Sequence, residues 1–266
     1  MKNKNSGFTL LEMSIVIVIV ALVAGAIVGA KSMMRAAQIK NALGEYDTYL
    51  KAIGEFRDKY LALPGDMKNA TTMFGASAGG CPGTAGAAPT TGSCNGNGNG
   101  RIGMTDTSGY FNTDFGEMFR AWEQLAHAGF IKGQYNGVWS PVWVTDATIG
   151  LNVPESALEG AGWSLYYYIE TIDNGLLWPD TYGHMFSLGS TRSGSITSGA
   201  TLSAPEAFAL DQKMDDGKPG RGVVRAWRPG FLANCTNSDT TQDAQAYIAT
   251  KSTTAACALV FIPGVF

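Results

Sequence analysis

The run from Phe8 to Ala30, FTLLEMSIVIVIVALVAGAIVGA, holds 23 residues and a single charge, Glu12. As a helix rising ~1.5 Å per residue it measures about 35 Å, enough to cross the ~30 Å hydrocarbon core of a bilayer. Ahead of it, residues 1–7 (MKNKNSG) carry Lys2 and Lys4. No proline or other stop follows before Leu63-Pro64-Gly65-Asp66. From Lys31 to Tyr60 the apolar residues Ile39, Leu43, Tyr46, Leu50, Ile53, Phe56 and Tyr60 recur at three- and four-residue steps. Lys31, Arg35, Lys40, Glu45, Lys51, Glu55 and Asp58 mostly take other faces. This spacing predicts one helix over 8–60, apolar all round in its first half and amphipathic in its second. Pro64 disfavours helix at Leu63, and Gly65 supplies turn freedom.

Beyond the helix, 266 residues leave room for one further domain of ordinary size. With 19 Lys+Arg against 22 Asp+Glu, there is no basic field to draw in a phosphate backbone, and nucleic acid is not an expected partner. Charged residues make up only 15% and glycines number 34, a mixture suited to a loop-rich extracytoplasmic surface. Cys81, Cys94, Cys235 and Cys257 form no CxxC pair, so the usual zinc and thioredoxin spacings are absent. An even count reads as two disulfides in an oxidising compartment. Three connectivities are open; Cys81 with Cys94 and Cys235 with Cys257 are favoured because each closes a short local loop.

Residues 75–100 are rich in Gly, Ala, Ser, Thr, Pro and Asn and read as a disulfide-tethered loop. A second amphipathic helix is expected over Phe115–Ile131, and a short one over Ala204–Met214. Strands are expected at Gly137–Val144, Gly162–Thr171, His184–Leu188, Gly222–Trp227 and within Ala256–Phe266, antiparallel and covered by the apolar face of the stalk. The six residues Gly7-Phe8-Thr9-Leu10-Leu11-Glu12 resemble, at every position, the prepilin processing site of type IV pilins and type II secretion pseudopilins. The resemblance implies an α+β pilin-like fold, with a long N-terminal helix on an antiparallel sheet carrying loop insertions. The expected divisions are a leader at 1–7, a transmembrane helix at 8–30, a stalk at 31–63 and an extracytoplasmic domain at 64–266. An ordinary secretory signal would instead end near Ala26.

The same resemblance implies cleavage after Gly7 and N-methylation of Phe8 by a prepilin peptidase. Its other expected partners are like subunits, an inner-membrane assembly platform and lipid. The implied location is a single-pass protein of the bacterial inner membrane with a periplasmic domain, passing later into a periplasmic or surface filament. A carboxylate inside a membrane helix costs about 2.5–3.5 kcal/mol, so Glu12 reads as functional. The amine freed at Phe8 is the matching cation, and in the family this acid engages a neighbouring subunit's N-terminus. Gly25 and Gly29 form a GxxxG spacing that allows close helix approach. The sequence departs from many pilins in having Gly29 where a helix-breaking proline would fall, and it is longer than a usual major pseudopilin.

Two segments have cation-binding chemistry. Asn95 to Asp106 follows the spacing of a calcium loop, but with amides in place of carboxylates it reads as a Gly/Asn turn. Asp211, Asp215 and Asp216 form an acidic turn, of a kind found in pilin-like proteins, that is a candidate for structural calcium; no other cofactor is expected. With only His127 and His184 and no GxSxG or HExxH motif, catalysis is not expected. Trp139, Trp143 and Trp163 read as core, with a surface-binding patch as the other option. Three functions fit: a structural filament subunit, a minor tip pilin or adhesin, and a pseudopilin of a type II secretion system.

Overall fold

The computed structural model describes residues 9–78, 81, 91–103, 116–138, 147–168, 175–180, 182–237, 245–248 and 254–264. Its first element is one unbroken helix, α1 (Leu10–Tyr60). Leu61 adopts the left-handed conformation (φ 54°) and its N–H bonds the Arg57 carbonyl at 2.8 Å, closing the helix before Pro64 is reached. The elements α2 (Ala70–Phe74), α3 (Glu117–His127), β1 (Gly162–Tyr168), β2 (Gly183–Gly189), α4 (Ala204–Met214), β3 (Val224–Ala226) and β4 (Leu259–Phe261) follow.

The four strands form one antiparallel sheet in the order β1-β2-β4-β3. Its register, with Leu165 opposite Phe186, Phe186 opposite Phe261 and Phe261 opposite Val224, places Trp163, Leu165, Phe186, Leu188, Leu259, Phe261, Val224 and Ala226 on one face. The second half of α1 lies on that face. Tyr46 touches three of its rings, with centroids 6.2 Å from Trp163, 5.4 Å from Phe186 and 4.9 Å from Phe261. Tyr49 sits edge-on to Trp122 of α3 at 4.9 Å, and α3 thereby joins the same layer. The other face of the sheet is also covered. Ser164 and Ser187 bond Thr197 of the loop after β2, and both strands are buried almost throughout.

The expected stripe on α1 is therefore the docking face, enlarged by Ala42, Tyr49 and Ala52, while Ile39, Leu50 and Tyr60 lie at its partly buried margin. The expected strand at Gly137–Val144 differs: Gly137 and Val138 carry no strand, Gly137 having φ +60°, and 139–144 lie outside the described residues. At Gly222–Trp227 only three residues pair, because Gly222 (φ +79°) turns the chain into the strand. The last strand likewise shortens to Leu259–Phe261. The disulfides join Cys81 to Cys94 and Cys235 to Cys257.

Two polar clamps fix where the stalk sits. Glu45 accepts hydrogen bonds from the Ser156 hydroxyl (2.7 Å), the Ala157 amide (2.7 Å) and the Trp163 indole (2.9 Å). Arg35 donates to Glu206 (2.8 Å) and to the Thr201 carbonyl (2.6 Å). Both lie in the stripe, since Arg35, Ile39, Ala42, Glu45, Tyr49 and Ala52 succeed one another at three- or four-residue steps. A Glu45→Ala change leaves the buried Trp163 N–H without its acceptor and is expected to cost about 2 kcal/mol, measured as a lowered denaturation midpoint of the detergent-solubilised protein. A loss under about 0.5 kcal/mol would show that the clamp is only a surface contact.

Candidate assembly and cation sites

The N-terminal half of α1 stands clear of the domain. Its most apolar stretch of 18 residues has mean hydropathy 2.8 and none of it is buried, which meets the length and composition of a membrane-crossing helix. Leu10, Val20, Leu22 and Val28 are all at least 60% exposed. Placing a β-carbon on Gly25 or Gly29 meets nothing within 4 Å, so no contact inside this chain accounts for either glycine. Glu12 is held by a capping box. The Thr9 N–H (2.8 Å) and hydroxyl (2.9 Å) both donate to its Oε2, while the Glu12 N–H donates to Thr9 Oγ1 (3.2 Å). The carboxylate thus lies beside the first turn, where the unpaired N–H groups favour negative charge. Thr9 was not singled out from sequence as Glu12's partner, although the Thr-x-x-Glu spacing of a capping box signals it. Gly7 and Phe8 lie outside the described residues.

The three aspartates of the acidic turn converge at the end of α4, each offering a carboxylate oxygen within 4.8 Å of the others. Asp211 is fully buried and accepts from the Tyr247 hydroxyl (2.7 Å) and the Gly217 amide (3.0 Å). Asp215 caps the start of β3, accepting from the Val223 and Val224 amides. Asp216 is exposed and accepts from the Lys218 amide (2.9 Å). Burial, with the Asp215 carboxylate beside it, pushes the Asp211 carboxyl up to about 8. The donor set is all oxygen, and a dication would relieve the crowding of like charge, so the residues present fit a hard metal ion.

The Asn95–Asp106 segment is different. Asn95 accepts from the Thr71 amide (2.9 Å), Asn97 from the Asn99 amide (2.9 Å) and Asn99 from the Arg101 amide (2.8 Å). These side-chain oxygens are spent on local turns, and Asp106 lies outside the described residues. The loop is pinned from beneath by acids. Asp66 accepts from the Asn99 and Gly100 amides, and Glu117 from the Asn97 and Gly103 amides. Arg120 and Glu123 form a buried ion pair at 3.0 Å, Ser93 donates to Glu123 at 2.7 Å, and burial pushes the Glu123 carboxyl up. His127 ends α3 against the Gly92 backbone. His184 is buried and accepts from the Ile102 amide at 3.0 Å, and burial takes it down to about 4. Trp163 is core, packed on Tyr46; Trp139 and Trp143 lie outside the described residues.

A single long helix, free and apolar at one end and clamped to an antiparallel sheet at the other, defines a membrane-anchored α+β protein of pilin-like architecture. Residues 2–28 match the family model described as the prokaryotic N-terminal methylation motif, so the chain carries the prepilin signature of type IV pilins and pseudopilins. No curated protein and no solved structure matches the chain.

The raised Asp211 and lowered His184 oppose each other in pH. The folded state holds the Asp211 proton that the unfolded chain gives up near pH 4, so this group makes stability fall between about pH 4 and 8. The unfolded chain instead takes up a His184 proton that the fold refuses, so His184 makes stability rise from about pH 4 to 6.5. Metal-free protein is thus expected to lose stability from pH 6.5 to 8, and Asp211→Asn to flatten that limb while leaving the acid limb intact. Denaturant midpoints across pH 4–9 check both. An unchanged upper limb in the variant would show that Asp211 is not its source.

Proposed function

We propose that the protein is a structural subunit of a type IV pilus-like filament, processed by prepilin peptidase at Gly7–Phe8 and assembled through its N-terminal helix. The observation that carries this reading is α1 itself. About 25 residues of apolar helix extend from a domain that makes no use of them, and the one carboxylate among them sits at the free end. Such a surface is soluble in lipid, or in a bundle of identical helices, and in little else. Leaving the bilayer requires another apolar surface of the same length, which like subunits supply. In hydrocarbon the helices gain little from apolar contact alone, so a specific polar pairing and close backbone approach are needed to set their register. Glu12 against a neighbour's Phe8 amine supplies the first, and the open Gly25–Gly29 face the second.

The role of Glu12 follows from its geometry before assembly. Its Oε2 is occupied by Thr9, which tempers the cost of holding a carboxylate in the membrane. Its Oε1 faces the terminus, where cleavage would create a positive charge. Before processing the amine is absent and the leader lengthens the chain at that point, so polymerisation is coupled to cleavage. The acidic turn serves stability in this reading. Asp211, Asp215 and Asp216 would hold calcium, tying the end of α4 to the start of β3.

Mass spectrometry of the mature chain is expected to give an N-methylated Phe8 terminus, and shed filaments are expected to contain it. Glu12→Ala should insert and be processed normally yet be absent from filaments. A terminus at residue 27 or at Met1 would overturn the reading; an export defect without fibres would assign the same helix to a secretion pseudopilus. Calcium at about 100 times its Kd should add about 2.7 kcal/mol of stability over the chelated protein, an increment that Asp211→Asn abolishes. Equal stability with calcium and with chelator would remove the metal from the turn.

A further inference from the structure

At the end of α1 remote from the membrane span, the chain encloses a cavity of about 550 Å³ lined among others by Arg57, Tyr60, Leu61, Asp66, Lys68 and Asn69. Its size is that of a small-molecule site. Three features separate it from an ordinary crevice. Arg57 and Lys68 flank it as two cations, and neither makes an ion pair with a described residue. Lys68 is laid out rather than left loose: its stem crosses Gly98, where any β-carbon would collide with it. Leu61, on the rim, is 90% exposed and held in a left-handed conformation that costs a leucine energy, because the capping bond to Arg57 fixes it there.

We propose that this cavity binds an acidic saccharide. The cations alone would suit any anion, but the rest of the lining narrows the choice. Asp66 and the last carbonyls of α1 are acceptors, and Asn69 offers a donor and an acceptor together. A bare phosphate or sulfate has no protons for those acceptors. A sugar acid has both kinds of group: a carboxylate or sulfate for Arg57 and Lys68, and hydroxyls that donate as well as accept. Its C–H face can rest on the exposed Leu61. The helix between Ala30 and Tyr60 rises about 45 Å, which puts the cavity far beyond the headgroups of the chain's own bilayer, so lipid is not the source of the anion. The inference does not depend on the filament reading, since it uses no residue of the N-terminal half of α1.

The test is calorimetric titration of the full mature protein in detergent with a galacturonic acid trisaccharide and, in parallel, its uncharged methyl ester. The acid form should bind, weaken as salt is raised, and exceed the ester about tenfold in affinity, the scale of one or two charge-assisted hydrogen bonds. Arg57→Ala with Lys68→Ala should lose about tenfold without lowering Tm, because both side chains are solvated and support nothing else. Leu61→Gly relieves the left-handed strain, so it should fold at least as well and still bind more weakly. No heat up to millimolar trisaccharide, equal affinity for the ester, or full binding by the double variant overturns the proposal. Inorganic sulfate binding as tightly makes this a simple anion site, and an acidic peptide doing so makes it a protein contact; either result also overturns it.

Discussion

Everything outside the bilayer depends on the burial of one helical stripe against one face of one sheet. Tyr46, Tyr49, Ile53 and Phe56 supply that stripe, and Trp163, Phe186 and Phe261 receive it. A four-stranded sheet with two three-residue strands has few ladder bonds of its own. Its inner face would be left wet without α1. Each large aromatic side chain moved from water into this layer contributes about 1.5–3 kcal/mol, so the contact organises the domain as well as attaching it. Glu45 and Arg35 then choose the register, since an apolar stripe alone would tolerate a slide along the helix axis, whereas a carboxylate with three donors does not.

The second layer of organisation is polar and is built around α3. One face of this helix packs into the aromatic layer through Trp122, while Glu117, Arg120, Glu123 and Gln124 are buried beneath the loop of residues 91–103. Burying such groups is costly unless each finds a partner. Here the loop's backbone amides and Ser93 supply partners, and Gln124 also accepts from the Gly65 amide at 2.7 Å. Gly65 has φ +85° and lies hard against the Glu117 carbonyl, so the turn after the stalk admits no β-carbon. Loop and helix therefore satisfy each other: the Asn-Gly segment cannot fold alone, and α3 cannot bury that face without it.

The two acidic sites of the chain differ by the same physics. Glu12 lies at a helix N-terminus with donors already in place, so a charge can persist there despite apolar surroundings. Asp211 lies at the other end of a helix beside a second carboxylate, so it keeps its proton up to about pH 8 unless a cation arrives. The first environment prepares a charge to meet a partner, and the second stores a proton that a metal would displace.

By itself the sequence determined the parts whose cause is local. The apolar run, the three- and four-residue spacing of the stalk, Glu12 within the run, the α4 limits at Ala204–Met214 and the short-range cysteine pairs all follow from neighbours along the chain. It did not determine what Glu45 and Arg35 do, although their positions in the stripe marked them. Their partners lie 111–118 and 166–171 residues away, and only the folded sheet brings those groups to the helix. Nor did it show that the polar side of α3 is buried, because amphipathic spacing cannot distinguish water from a loop of hydrogen-bond donors. The cavity beside Leu61 is of the same kind: Arg57 and Lys68 are unremarkable in sequence and acquire a common target only when the left-handed turn folds Lys68 back toward the end of the helix.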